Sequence, residues 1–300
     1  MSTPQEDISS CLDGAYDLHV HPAPDVMERS GDDILFAQMA KEVGMKGFAI
    51  KSHYVPTADR AYYVNKLVPG LNVIGTLTLN NSIGGLNPQA VDIAGRAGAR
   101  LVWMPTVDSQ NEFNNKGKQD ESKLPYWAIM QRQLEKDKIL RPPINLFKEN
   151  GELRKETEEI IALFVKYKLI MATGHLSPIE GIKLIKEATE LGLERIIVTH
   201  PDFPTTFYSI EQQMKLTKYG VFLERCYTTP ATNKVSWDHM LKGVKETGPE
   251  NNILATDLGQ KTAIFPVEGM KKFVGFFLEN SLSVDSIRKM TVENAANLLR

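Results

Sequence analysis

Cysteine is almost missing from this sequence: Cys11 and Cys226 are the only two in 300 residues. They lie far apart and outside any CxxC spacing, which excludes a disulfide framework and a thiolate zinc site. Any metal here must be held by imidazole and carboxylate. Long apolar runs are missing too, since no stretch approaches the roughly 18 residues needed to span a bilayer. The opening MSTPQEDISS has neither the basic segment nor the apolar run of a secretory signal, so the expectation is a cytoplasmic protein with no membrane contact. Charge of either sign is not in excess: 35 basic against 37 acidic residues leave a net charge of -2 and no basic field for nucleic acid. There is no solenoid-period repeat, no low-complexity tract, and no GxGxxG or P-loop pattern at a strand-to-helix turn.

What is present is a rhythm. Short apolar, β-rich runs alternate with longer amphipathic stretches along the chain, the pattern of repeated βα units. Eight strands are expected, over Ala15 to Val20, Gly47 to Ser52, Asn72 to Leu79, Arg100 to Pro105, Leu169 to Gly174, Arg195 to Thr199, Val221 to Cys226 and Asn252 to Thr256. Helices are expected near 32–43, 57–67, 88–97, 155–167, 178–191, 209–218, 236–246, 267–279 and 291–299. Seven strands are apolar at nearly every position, as in a parallel sheet covered on both faces. The fold class is therefore α/β, a (β/α)8 TIM-like barrel, with an open doubly wound sheet as the structural rival. A barrel typically needs about 250 residues, so 1–300 reads as one domain with an insertion.

That insertion is the segment 107–150, after strand 4, where the rhythm breaks. It is polar and rich in Asn, Lys and Gln, then carries Tyr126, Trp127 and the Pro142-Pro143 pair. At the carboxyl face of a barrel it would cover part of a substrate cavity, with Tyr126 or Trp127 as an apolar wall. A disordered surface loop is the alternative for its first half. In the loop before it, Asn87 is a candidate helix cap with Pro88 at the first helical position.

The chemistry-bearing residues gather at strand ends. His19 and His21 close the first strand, and side chains two apart point to one face. His175 follows the fifth strand, His200 the sixth, and Asp257 the eighth. Four of the six histidines and one acid thus fall at the rim where catalytic residues of a barrel collect, and neutral imidazoles there suit a divalent metal. Lys51 and His53, again two apart, end the second strand and should face His19 and His21. Lys51 would be a cation for an anionic substrate group, a carboxylated ligand, or a charge reaching solvent. Glu224 and Cys226 share a face of the seventh strand, with Glu224 either supporting the metal ligands or held in a structural ion pair. His239 is expected at the surface of a helix.

DLHVH early, TGH and VTHP in the middle and ATD late together resemble the amidohydrolase superfamily of metal-dependent hydrolases, and the closing TVENAANLL looks like the helix after that superfamily's last strand. The resemblance implies a TIM barrel in which His19 and His21 bind a buried metal, His175 and His200 a second metal or the substrate, and Asp257 is both ligand and proton acceptor. It implies a divalent ion, zinc expected, as one or two ions. One departure stands out: the fourth strand, LVWMPT, lacks a bridging lysine or acid, leaving Asp108 and Glu112 just beyond it. An HxH strand followed by a strand ending in histidine is also similar to the polymerase and histidinol phosphatase family, although that family's third-strand acid and closing DxH are missing here.

The expected activity is metal-dependent hydrolysis of an amide, ester or lactone bond of a small molecule, with catalytic roles for Asp257, Lys51 and His53. Phosphoester hydrolysis, metal-dependent decarboxylation and a non-catalytic metal- or ligand-binding barrel are the alternatives. Nothing here opposes assembly as a homo-oligomer.

Overall fold

The computed structural model describes residues 3–117, 124–125 and 127–300. Eight parallel strands run β1 (Tyr16–Val20), β2 (Gly47–Ile50), β3 (Thr76–Thr78), β4 (Leu101–Trp103), β5 (Ile170–Ala172), β6 (Ile196–Val198), β7 (Phe222–Cys226) and β8 (Asn252–Ala255). β1 pairs with β2, and β3 to β8 pair each with the next in sequence order. The two sheets join at both edges. Ile74 N–H donates to Phe48 O at 2.9 Å and Ile50 N–H to Ile74 O at 3.0 Å, linking β2 to β3. His21 N–H donates to Leu258 O and Asp257 N–H to His19 O, each at 2.8 Å, linking β8 back to β1. The sheet is a closed barrel, which leaves no exposed strand edge among the described residues.

Side-chain parity follows the pleat. Leu101, Trp103, Ile170, Ala172, Ile197 and Ile253 belong to the apolar cluster filling the barrel, whereas Val102, Met171, Ile196 and Val198 pack outward against helices. Ala295 and Leu298, from the helix Asn294–Leu299, join the interior cluster. β1 departs from simple alternation. Between Asp17 and Val20 it has one residue more than its partner, a bulge that lets Leu18 join the interior cluster while His19 also reaches inward, its ring 5.3 Å from that of Trp103.

The expected helices are present within a residue or two, except that the final one is split, with a π-helical turn over Lys289–Glu293 preceding Asn294–Leu299. Asn87 caps its helix through Ala90 N–H, with Pro88 in the first turn. A helix over Pro4–Leu12 was not anticipated, although a Thr3–Glu6 capping box and Pro4 announce it. Among its described residues the inserted segment holds the helices Gln110–Asn115 and Trp127–Lys136. Among the described residues no helix is long and apolar enough to cross a membrane.

Candidate functional site

At the carboxyl ends of the strands lies a cavity of about 640 Å³ lined by His19, His21, His53, His175, His200 and Asp257. Five imidazoles form a closed ring: centroid separations are 5.2 Å for His19–His21, 5.1 Å for His21–His53, 5.9 Å for His53–His175, 5.0 Å for His175–His200 and 6.1 Å for His200–His19. Asp257 Oδ1 stands 3.3 Å from His19 Nε2 and 3.1 Å from His21 Nε2, and Thr228 Oγ1 donates to Oδ2 at 3.0 Å.

Backbone geometry holds these groups in place. His200 and Asp257 have φ of 25° and 53°, in the left-handed region that non-glycine residues rarely enter. Such strain persists only where the surroundings enforce it, and it gathers at functional sites. Gly174, with φ of 64°, sets the turn that delivers His175: a Cβ there would meet Met104 O at 2.3 Å and Pro105 O at 2.6 Å. That close approach lets His175 N–H donate to Pro105 O at 3.0 Å.

The imidazoles are neutral. Burial lowers His19, His175 and His200 to about 3 and holds His21 and His53 well below their usual value, with the Lys51 ammonium adding to the effect on all but His200. Burial raises Glu224 to about 7, with His200 and Lys51 opposing it, and lowers Lys51 to about 8, with Glu224 and Asp257 opposing.

Lys51 faces His19, as the sequence suggested, but from a buried position. It is wholly buried, with Nζ donating to His19 Nε2 at 3.3 Å and lying 4.0 Å from the centroid of the Trp103 ring. The aromatic face and the nearby carboxylates draw the ammonium inward, a placement the strand pattern could not reveal. Because an ammonium only donates, His19 Nε2 must present its lone pair. His19 then carries its proton on Nδ1, where Glu224 Oε2 accepts it at 3.2 Å. The same Oε2 accepts His200 N–H at 3.3 Å. Glu224 thus supports two of the histidines; Cys226, 4.0 Å from His19 Nδ1, completes that buried corner.

Other partners were less legible. Glu112, on the inserted helix, is buried, with Oε1 2.9 Å from His175 Nδ1 and accepting Thr205 Oγ1–H at 2.8 Å. Asp108 turns elsewhere, accepting from Asn81 N–H and Gln131. Asp17 ties β1 to β8 by accepting Thr256 N–H at 3.0 Å and Thr256 Oγ1–H at 2.5 Å. Of the inserted aromatics, Trp127 lines the cavity, its ring 6.0 Å from that of His175, and Tyr126 lies outside the described residues. His239 is 24% exposed and stands 3.3 Å from Asp202.

The donor set fits a divalent cation. His19, His21 and Asp257 offer ligand atoms within 4.8 Å of one another, and so do His19, Glu224 and Cys226. The lone pair of His19 Nε2 already faces a cationic group, Lys51. His21 Nδ1 and Glu224 Oε1 are buried without a hydrogen-bond partner among the described residues.

The chain is similar to an amidohydrolase from Pseudomonas aeruginosa, at 13% identity over 100% of this chain and 98% of that one, with a TM-score of 0.66. It is similar also to the dipeptidase AC, a metallopeptidase of family M19, at 11% identity over 96% and 98% of the two chains, TM-score 0.63. A third similar structure is the phosphotriesterase homology protein from Escherichia coli, complexed with phosphate in its active site, at 13% identity over 96% and 99%, TM-score 0.60. Identities this low show the fold alone, an α/β barrel shared with these three structures. No curated protein matches the sequence significantly. A family model does match, over residues 14–224, and on that match the chain belongs to the family of unknown function DUF6282.

Proposed function

We propose that this protein is a metal-dependent hydrolase that cleaves an amide, ester or lactone bond of a small molecule, with residues 1–300 acting as one barrel domain. The observation that carries the reading is the convergence of His19, His21, His175, His200 and Asp257, from four different strand ends, on one cavity. In the reading these five hold the ion, zinc being the expected one. A divalent ion held there would acidify water and polarise the electrophile.

The rest of the chemistry belongs to the chain. Asp257, steadied by the Thr228 hydroxyl at Oδ2, accepts the proton from the attacking water through the carboxylate oxygen that the ion would leave free. Glu224 keeps the His19 proton on Nδ1, which leaves Nε2 as a ligand atom and raises its basicity. Thr206 does the same for His200, because its hydroxyl donates to His200 O at 3.0 Å and so accepts from Nδ1 at 3.2 Å. Lys51 balances the charges of Glu224 and Asp257 rather than meeting substrate. Trp127, with Pro125, walls the cavity and limits the access of water.

Phosphoester hydrolysis is the second reading, supported by the phosphate in the active site of the similar Escherichia coli structure. A panel of ester, lactone, amide and phosphoester substrates, run on zinc-loaded protein, tests both. Turnover of carbonyl substrates that is lost with a chelator and restored by zinc supports the first reading. Metal-dependent turnover of phosphoesters alone overturns it in favour of the second.

A further inference from the structure

The hydrogen-bond network fixes the tautomers of three of the five histidines, and one is inverted. Asn80 sets the direction. Its Oδ1 accepts Thr106 N–H at 2.9 Å, so its Nδ2 is the donor to His53 O at 2.9 Å and to Thr106 Oγ1 at 2.7 Å. Thr106 Oγ1 is thereby an acceptor from Asn80, and its own proton needs a target. That target is His53 Nδ1, 2.9 Å away. Asn80, Thr106 and His53 are all buried, at 0%, 0% and 5% exposure, so a hydroxyl proton left without an acceptor would cost about 1–3 kcal/mol. His53 Nδ1 therefore carries the lone pair and Nε2 the proton.

This is the reverse of His19 and His200, whose Nδ1 protons are fixed by Glu224 and Thr206 and whose Nε2 lone pairs remain. His53 nonetheless lines the same cavity, its ring 5.1 Å from that of His21 and 5.9 Å from that of His175. An imidazole with Nδ1 committed to Thr106 and a proton on Nε2 has no lone pair for a cation. What it offers is an N–H donor.

We propose that His53 is not a metal ligand but the cavity's hydrogen-bond donor to substrate, its Nε2–H directed at the carbonyl or phosphoryl oxygen on which negative charge develops during attack. Asn80 and Thr106 are its positioning residues. The role rests on the hydrolase reading above; the tautomer does not. A donor aimed at a developing oxyanion contributes on the order of 10²–10³ in kcat.

The test is long-range 1H–15N correlation on metal-free protein labelled at histidine, followed by titration with Zn²⁺ alone. His53 is expected as the Nε2–H tautomer and His19 and His200 as Nδ1–H. On adding Zn²⁺ the Nε2 resonances of His19 and His200 should shift as ligands while His53 keeps its Nε2 proton. Thr106→Val should release the His53 tautomer and Thr106→Ser should restore it. His53→Gln should retain the zinc content of the wild type and lose about 10²–10³ in kcat on whichever panel substrate the wild type turns over. An Nδ1–H tautomer for His53 in the metal-free protein, loss of its Nε2 proton on zinc binding, or loss of zinc in His53→Gln each overturns the proposal. If no histidine responds to Zn²⁺, the metal reading falls and the donor role with it, and the tautomer recorded before zinc was added shows that the failure lies there.

Discussion

Glu224→Gln is the sharpest perturbation of the site, because it keeps shape and changes only charge and donor pattern. Glu224 Oε2 accepts from His19 Nδ1 at 3.2 Å and from His200 N–H at 3.3 Å, and Oε1 is buried with no partner among the described residues. A glutamine that keeps its carbonyl oxygen at the Oε2 position puts a buried NH₂ where Oε1 was. One that flips sets donor against donor at both contacts. In the first arrangement two charge-assisted hydrogen bonds become neutral ones, a loss of roughly 1 kcal/mol each, and Lys51 loses a compensating charge. Part of that loss falls on the ligand strength of His19, so zinc affinity should weaken by about 10–100-fold, the usual effect of removing a carboxylate behind a ligating imidazole. That corresponds to about 1.4–2.8 kcal/mol. The assay is zinc competition against a chromophoric chelator near neutral pH, with circular dichroism establishing that the variant is folded. A folded Glu224→Gln protein whose zinc affinity stays within twofold of wild type would refute the reasoning.

Asp257→Asn should lower turnover by roughly a hundredfold or more while zinc content falls far less than in His19→Ala; steady-state rates beside elemental analysis check this, and near-full turnover would remove Asp257 from the proton path. Gly174→Ala should destabilise by more than about 2 kcal/mol in urea unfolding, because the positive φ and the overlap with Met104 and Pro105 carbonyls act together. Gly98→Ala, with φ of 93° and open space around its Cβ position, serves as the control and should lose only the conformational part, about 1–2 kcal/mol. Asp202 and Arg225 form a buried pair at 2.6 Å; burial opposes the Asp202 charge, but Arg225 prevails and lowers its pKa to about 2. A depressed carboxylate stabilises above its unfolded value and loses that contribution as pH falls towards 2. Asp202→Asn should therefore cost about 3–5 kcal/mol near pH 7, and the difference from wild type in unfolding experiments should shrink below about pH 4; a pH-independent difference would contradict the assignment.

How much of this was readable follows from what each signal depends on. The strands were legible because each buries both faces and so is apolar throughout, and the histidines because each directly follows such a run. The barrel rim then assembles them without further information. Residues whose roles depend on neighbours from other strands were not legible. Asn80 and Thr106 are ordinary polar residues until the ends of β2, β3 and β4 lie side by side. Glu112 reads as a solvated loop acid until the inserted helix folds back onto His175. Lys51 faces His19, as strand parity led us to expect, but parity gives the face and not the depth, and the Trp103 ring decides the latter. The bulge in β1 breaks the alternation on which the reading of that strand rested, yet His19 and His21 still converge, their rings 5.2 Å apart.

The central claim is that these strand ends bind a divalent ion, and the most direct test is metal stoichiometry. Wild-type protein loaded with Zn²⁺ and dialysed against metal-free buffer should retain at least one zinc per chain by elemental analysis, and a His19→Ala, His21→Ala double variant with unchanged circular dichroism should retain none. Wild-type protein that keeps no ion, or a double variant that keeps as much as wild type, would contradict the account.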